Sequence, residues 1–306
     1  MTISIDILET GTVAIRPSHR TQSATRPVLL RRARVLTDRR WTVPLPINTY
    51  LIRHPEGVIL VDSGESPHVS QRGFFPFWQP FFHVAVDLKV GPEEGIRSRL
   101  AEYGLAPADL TAVILTHLHH DHGDGIPDLN GAPIYVSAEQ WDANRHYIPA
   151  TVEGAVPKRW PHGFMPLILE PSGPPVGPFP RSYPITSDGT IFAVDTPGHV
   201  PGHLSVIALD DDVAYFFGGD STYDLELLDA ELTDGVNNAP RKAIESLRAI
   251  KEYARTQPTV ILPAHDPPRR RTPRHQGRLP PITTESRTVT TSDGIRRTEE
   301  PACPRS

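Results

Sequence analysis

The most constraining feature of this chain is an apolar strand that runs straight into a cluster of metal-binding side chains. Ala112-Val-Ile-Leu115 is a short apolar run of the kind a buried strand requires, and Thr116-His-Leu-His-His-Asp-His-Gly123 follows it without a break. His117, His119, Asp121 and His122 stand in the pattern H-x-H-x-D-H. Histidines at i and i+2 point the same way only in extended backbone, and the Asp-His pair then turns the chain so that its ligands can reach a second metal. Imidazole and carboxylate together suit zinc-like cations. A solvated polar loop has no need of four such groups at this spacing.

More candidates stand at the ends of apolar runs downstream. Thr196-Pro-Gly-His-Val-Pro-Gly-His203 offers two histidines, Asp220 ends Ala214-Tyr-Phe-Phe-Gly-Gly-Asp, and His265 follows Val260-Ile-Leu-Pro-Ala. An apolar strand ending in one ligand is how a rigid scaffold presents a site. Each alone reads as a capped or solvated residue. With the first motif they complete two sites of three protein ligands, plus one carboxylate that both can share.

Short β-rich runs surround these ligands. Ile47–Ile52 and Val58–Asp62 flank the turn His54-Pro-Glu-Gly57 and read as a hairpin. Further strands are expected at Ala112–Leu115, Ile134–Val136, Ile191–Val194, Leu204–Leu209, Val213–Phe217 and Val260–Leu262. Helices are expected at Glu93–Tyr103, Ala138–Arg145 and Ala239–Arg255, the last with Ile244, Leu247 and Ile250 on one face. Arg16–Arg40 is basic and Pro-punctuated and reads as an arm or a partly paired strand. Gly154–Pro184 is Pro/Gly-rich and reads as a long surface loop.

Charge divides the chain in two. Nine arginines, no lysine and four acids leave residues 267–306 at +5; with −5 overall, residues 1–266 carry −10. The expected organisation is one folded domain over 1–266 and a Pro/Arg-rich disordered tail over 267–306. An acidic body is a poor platform for nucleic acid, because phosphate neutralisation needs Lys and Arg. Cys303 is the only cysteine, so neither an intrachain disulfide nor a Cys-based zinc knuckle is possible. Met1–Asp6 lacks a basic segment leading into an apolar one, and no window approaches the ~18 apolar residues of a membrane span. The expectation is a cytoplasmic protein without membrane or nucleic-acid partners, with a homodimer left open.

From about Asp6 to His265 the chain resembles the metallo-β-lactamase superfamily. The resemblance is carried by H-x-H-x-D-H, then G-H, then Asp220, then His265, and by Val61-Asp-Ser-Gly64, which looks like the family's D-[ST]-G turn. It implies an α/β fold, a four-layer αββα sandwich, and two Zn²⁺ per chain. It also implies roles: His117, His119 and His203 on one zinc, Asp121, His122 and His265 on the other, and Asp220 bridging them. His120 fills the unspecified position, and His199 reads as structural or supporting. Two divalent ions sharing a water lower its pKa toward neutrality, and Asp121 is the candidate to pass a proton to the leaving oxygen.

Within that superfamily the chain is most similar to the N-acyl homoserine lactonases. Those enzymes place a Tyr three residues after the bridging Asp, and Tyr223 fits that position, where its hydroxyl would contact the lactone carbonyl. The alternative is a glyoxalase II-like or general ester/thioester metallohydrolase, although glyoxalase II enzymes carry a helical C-terminal domain where this chain has its Arg-rich tail. A binding or regulatory protein on the same scaffold would not require the full ligand set. Gly73-Phe-Phe-Pro-Phe-Trp-Gln-Pro-Phe-Phe82 packs six aromatics into ten residues. Two prolines argue against a strand or helix, so it reads as an apolar loop. Phe77, Trp78 and Phe82 are the expected substrate wall, with packing or a dimer contact as the other reading.

Overall fold

The computed structural model describes residues 3–266. The expected tail, 267–306, lies outside the described residues. Among the described residues twelve strands form two sheets, the first built by residues 4–169 and the second by residues 182–263. The first contains β1 (Ser4–Ile15), β2 (Leu45–His54), β3 (Gly57–Val61), β4 (Val86–Lys89), β5 (Leu110–Ile114), β6 (Ile134–Ser137) and β7 (Leu167–Leu169). Its spatial order is β4-β1-β2-β3-β5-β6-β7. The second contains β8 (Ser182–Pro184), β9 (Ile191–Asp195), β10 (Leu204–Asp210), β11 (Val213–Gly219) and β12 (Thr259–Pro263), in the order β12-β11-β10-β9-β8.

The central strands read as unbroken apolar runs because both their faces are buried. In β11, Tyr215 and Phe217 point between the sheets while Ala214 and Phe216 point outward. In β2, Tyr50 and Ile52 face inward and Leu51 outward. The inter-sheet core therefore interleaves Ile59, Val61 and Ile114 of one sheet with Val206, Phe217 and Leu262 of the other. The outer face of the first sheet packs on Ile96 and Leu100 of the helix Ile96–Glu102. That of the second packs on Leu247, Ile250 and Tyr253 of Pro240–Thr256. Leu247 and Ile250 are fully buried, worth about 1.5–3 kcal/mol each. These layers make the αββα sandwich.

Three segments differ from the expectation. β1 is the longest strand and was not anticipated; it is broken by an irregularity between Glu9 and Thr12, where Gly11 adopts φ +104°. The basic segment is neither an extended arm nor a strand. It folds into two helices, Pro17–Arg20 and Val28–Thr37, and the second is tied to the rest of the domain by its fully buried Arg31, which donates to the Asn237 side chain and to the carbonyl of Asp234. The Pro-rich insert is not only a surface loop: it supplies β7 at the edge of the first sheet and ends as β8 of the second. Among the described residues, no helix is long and apolar enough to cross a membrane.

Candidate metal centre and cavity

The site lies where several strands end together. β3 is followed directly by Asp62, which holds a left-handed φ of +62°. Its carboxylate accepts from the Thr116 backbone N–H at 2.7 Å and binds His122 Nδ1 at 2.8 Å. Ser63 donates to the His122 carbonyl from both its backbone and its hydroxyl, at 2.8 and 2.7 Å. The Asp-Ser-Gly turn thus braces the H-x-H-x-D-H loop that follows β5. Gly64 is required there, since at φ +68° a Cβ would sit 2.1 Å from Thr10 Oγ1.

Two groups of ligand atoms converge. One comprises His117, His119, His199 and Asp220, the other Asp121, His122 and His265, each within 4.8 Å. Asp220, at the end of β11, faces both. Its Oδ2 lies 3.7 Å from His117 Nε2 and 3.3 Å from His199 Nε2, and its Oδ1 lies 3.2 Å from His122 Nε2 and 3.3 Å from His265 Nε2. Gly219 lets the strand end here, because a Cβ would meet Thr116 Oγ1 at 2.7 Å and His203 Nε2 at 2.9 Å.

The residues fit a cation. His117 Nε2, His122 Nε2 and Asp220 Oδ1 are buried without hydrogen-bond partners among the described residues, whereas buried polar atoms are normally satisfied. Four ring nitrogens on the far side are held instead: His117 Nδ1 by Thr116, His122 Nδ1 by Asp62, His199 Nδ1 by Asp234 and His265 Nδ1 by the Pro46 carbonyl. Anchoring one nitrogen so that the other presents a lone pair is the usual support of a metal-ligating histidine. Burial keeps His117 and His119 well below the ordinary imidazole pKa. Burial would raise Asp220, but His122 and His265 hold it well below the carboxylate range. Asp121 is likewise raised by burial and held down to about 2 by His120, His122 and His265.

The structure brings the expected ligands together with one difference: His199, and not His203, joins the first group. His203 immediately precedes β10, and its carbonyl accepts from Thr196 N–H at 3.1 Å. Both its ring nitrogens are occupied, Nδ1 by Thr196 Oγ1 at 2.9 Å and Nε2 by the Asp220 backbone N–H at 3.1 Å. His199 sits instead in the loop between β9 and β10, after Gly198 at φ +139°, and its Nε2 faces His119 Nδ1 at 3.0 Å and Asp220. The two histidines of one motif divide the work: one faces the ligand cluster, the other fixes the backbone of Asp220.

A cavity of about 240 Å³ opens over both groups. His119, Asp121, His199, Asp220, Tyr223 and His265 contribute its polar floor. Val13, Ile15, Leu36, Leu45, Phe81, Phe82, Val86 and Val152 make its apolar walls. Of the expected aromatic wall, Phe82 is in place, buried and stacked on Phe75 at 4.4 Å. Phe77 is not: it is 91% exposed. Trp78 is not either, and packs edge-on to Tyr147. The short helix Phe81–Val84 turns Phe81 and Phe82 inward, contrary to the all-loop expectation.

Several contributors carry no sequence signal. His19 lines the cavity and meets the Tyr223 hydroxyl at 3.2 Å; burial pushes its imidazole down to about 4. Glu65 is fully buried and binds His120 Nδ1 at 2.6 Å on the cavity wall. Asp234, partner of His199, lies in a loop that local pattern does not distinguish.

Comparison with known proteins agrees with this architecture. Residues 42–265 match the family model of the metallo-beta-lactamase superfamily. The chain is 24% identical over 234 residues to the N-acyl homoserine lactonase AttM of Agrobacterium fabrum, covering 73% of this chain and 82% of that one. It is 27% identical over 224 residues to the N-acyl homoserine lactonase AiiA of Bacillus thuringiensis subsp. kurstaki, covering 72% and 82%. Among solved structures, an N-acyl homoserine lactone hydrolase with N-hexanoyl-L-homoserine bound at its catalytic metal centre superposes with a TM-score of 0.69 at 23% identity, covering 87% of this chain and 94% of that one. The dizinc quorum-quenching lactonase AidC superposes with a TM-score of 0.57 at 16% identity, covering 87% and 88%. A family model matched over most of the chain, on a sandwich whose strand ends bring the histidines and aspartates together, leads to one conclusion: the chain belongs to the metallo-beta-lactamase superfamily and is a metal-dependent hydrolase.

Proposed function

We propose that this hydrolase opens the ring of acylated lactones, of the N-acyl homoserine lactone class for which its relatives are named, with two zinc ions. The carrying observation is that residues of both ligand groups and Tyr223 floor one cavity that also has an extended apolar wall. A reacting carbonyl belongs over the floor, and an acyl chain has a wall to lie against. His117, His119 and His199 would hold one ion, Asp121, His122 and His265 the other, with Asp220 offering one oxygen to each. Two zinc ions held there supply a Lewis acid for the carbonyl oxygen and lower the pKa of water toward neutrality.

The chain's own residues would do the rest. Water adds to the lactone carbonyl carbon, the ring C–O bond breaks, and the product is the ring-opened acyl amino acid. Asp121, on the cavity floor 3.5 Å from His265 Nε2, is placed to carry the water proton to the leaving alkoxide. Tyr223 donates its hydroxyl to the oxygen of the developing oxyanion. A side-by-side assay of an acyl homoserine lactone and a glutathione thioester tests the substrate class; faster thioester hydrolysis would replace the lactonase reading with the glyoxalase-like one. Tyr223→Phe should keep its metal and lose on the order of 10²–10³ in rate, less if zinc shares the oxyanion. An unchanged lactone rate would remove Tyr223 from the mechanism.

A further inference from the structure

The short helix Pro17–Arg20 grips the segment that carries Tyr223. His19 Nε2 lies 3.2 Å from the Tyr223 hydroxyl, and Arg20 places Nε and Nη2 on Asp224 Oδ2 at 2.9 and 2.7 Å. The His19 carbonyl accepts from Gly235 N–H at 2.6 Å. Gly235 allows the approach, since a Cβ there would stand 1.9 Å from the Ser18 carbonyl oxygen. His19 is therefore fixed in a built site, 204 residues from the tyrosine it touches.

The direction of that hydrogen bond follows from the other ring nitrogen. His19 Nδ1 is buried and has no hydrogen-bond partner among the described residues. A proton on Nδ1 would bury an N–H donor with nothing to receive it, which is the rarer and costlier way to leave a polar group. A proton on Nε2 leaves only a lone pair at Nδ1, and a doubly protonated ring would still donate from Nε2. A tyrosine hydroxyl has one hydrogen. If Nε2 accepted that hydrogen, nothing would remain for a substrate. If Nε2–H donates to the phenol oxygen, the phenol hydrogen stays free on the cavity side, where the ring stands 5.3 Å from that of His265 and 6.1 Å from that of His199.

We infer that His19 is a positioning residue: its Nε2–H donates to the Tyr223 oxygen and thereby commits the phenol O–H to an oxygen of the substrate. The inference rests on the proposed role of Tyr223, because His19 acts on substrate only through the phenol. The chain of donors also strengthens the outer one.

The test has two arms. In the first, ¹⁵N NMR of histidine-labelled, zinc-loaded protein reads the His19 tautomer without substrate, with His19→Gln giving the assignment. A proton on Nε2 is expected; a neutral ring protonated on Nδ1 overturns the inference. In the second, His19→Phe should lower kcat on an acyl lactone about tenfold, the upper worth of one net hydrogen bond, with KM little changed. It should cost nothing further in a Tyr223→Phe background. His19→Gln, whose amide N–H can donate, should recover part of the loss. Equal losses in both backgrounds, with Gln no better than Phe, also overturn it. If Tyr223→Phe itself costs nothing on lactones, the substrate reading falls, and the tautomer still decides for His19.

Discussion

The floor and the roof of the cavity are built by different rules. The floor and the histidines beneath it follow strand ends, and several are gripped on the far side by a second polar group: His122 by Asp62, His199 by Asp234, His265 by the Pro46 carbonyl. The roof comes from the helix Val28–Thr37, the segment 73–84 and the helix Tyr147–Glu153, none of which belongs to a sheet. It combines apolar side chains with polar ties such as Arg32 to Glu153 and Gln79 to the Thr151 carbonyl, and several of its large side chains, Leu29, Phe77 and Ile148 among them, face solvent. A frame of strands fixes atoms closely enough for ligation. Segments outside the sheets can change length and composition without disturbing that frame, so chemistry belongs to the floor and selectivity to the roof.

The largest effect should come from the floor. Asp220→Ala removes the one carboxylate that faces both ligand groups, and should abolish activity and metal binding together. Elemental analysis of the native protein after zinc-replete growth should give about two ions per chain, and of the variant one or none. Two retained ions would refute the shared carboxylate.

A second pair of variants divides the floor itself. His199→Ala removes a ring that faces the ligands and should drop the metal content below two, with activity near background. His203→Ala removes the group that receives the Asp220 backbone N–H and pairs with Thr196 Oγ1. It should keep both ions and lose about 10–100-fold in rate, as supporting partners of metal ligands do. The opposite ranking would restore His203 as the ligand.

That pair also marks how far sequence carries. The spacing of His117, His119, Asp121 and His122 was legible because the ligands are local and extended backbone dictates which way they point. The choice between His199 and His203 was not, because it depends on a left-handed Gly198 and on which ring lies under β11. The central strands were legible as apolar runs between turn residues. β1 was not, since Gly11 interrupts its pattern. Least legible was the helix Val28–Thr37, whose pattern is inverted: Arg31 is buried and Leu29 and Leu30 are exposed. Burial there follows from partners some two hundred residues away, at Asp234 and Asn237, and periodicity cannot encode them.

Arg31 is also the place where roof and floor are joined. It binds the Asn237 side chain at 2.9 Å and the Asp234 carbonyl, and Asp234 in turn holds His199. Arg31→Leu would leave the buried Asn237 Oδ1 without its donor and the Asp234 carbonyl with Asn237 Nδ2 alone. A cost of about 3 kcal/mol is expected, or a fall in Tm of roughly 6–12 °C for a domain of this size. Metal content at low temperature should stay near the native value, since every ligand remains. A variant as stable as the native protein would show that the roof helix is not anchored through this residue.

The smallest effects belong to the roof and concern chain length. Burying each further methylene is worth about 0.8 kcal/mol, so catalytic efficiency on acyl lactones should rise roughly fourfold per methylene until the wall is filled. Phe82 is 4% exposed in that wall, whereas Phe77 is 91% exposed outside it. Phe82→Ala should flatten the rise for long chains while leaving short-chain hydrolysis and metal content close to native. Some loss of stability is expected as well, because the ring stacks on Phe75 at 4.4 Å, so the profile must be measured below the unfolding range. Phe77→Ala should change neither property, since its ring already lies in water. A flat native profile, or equal effects from the two substitutions, would take selectivity away from the roof and leave these aromatics to packing alone.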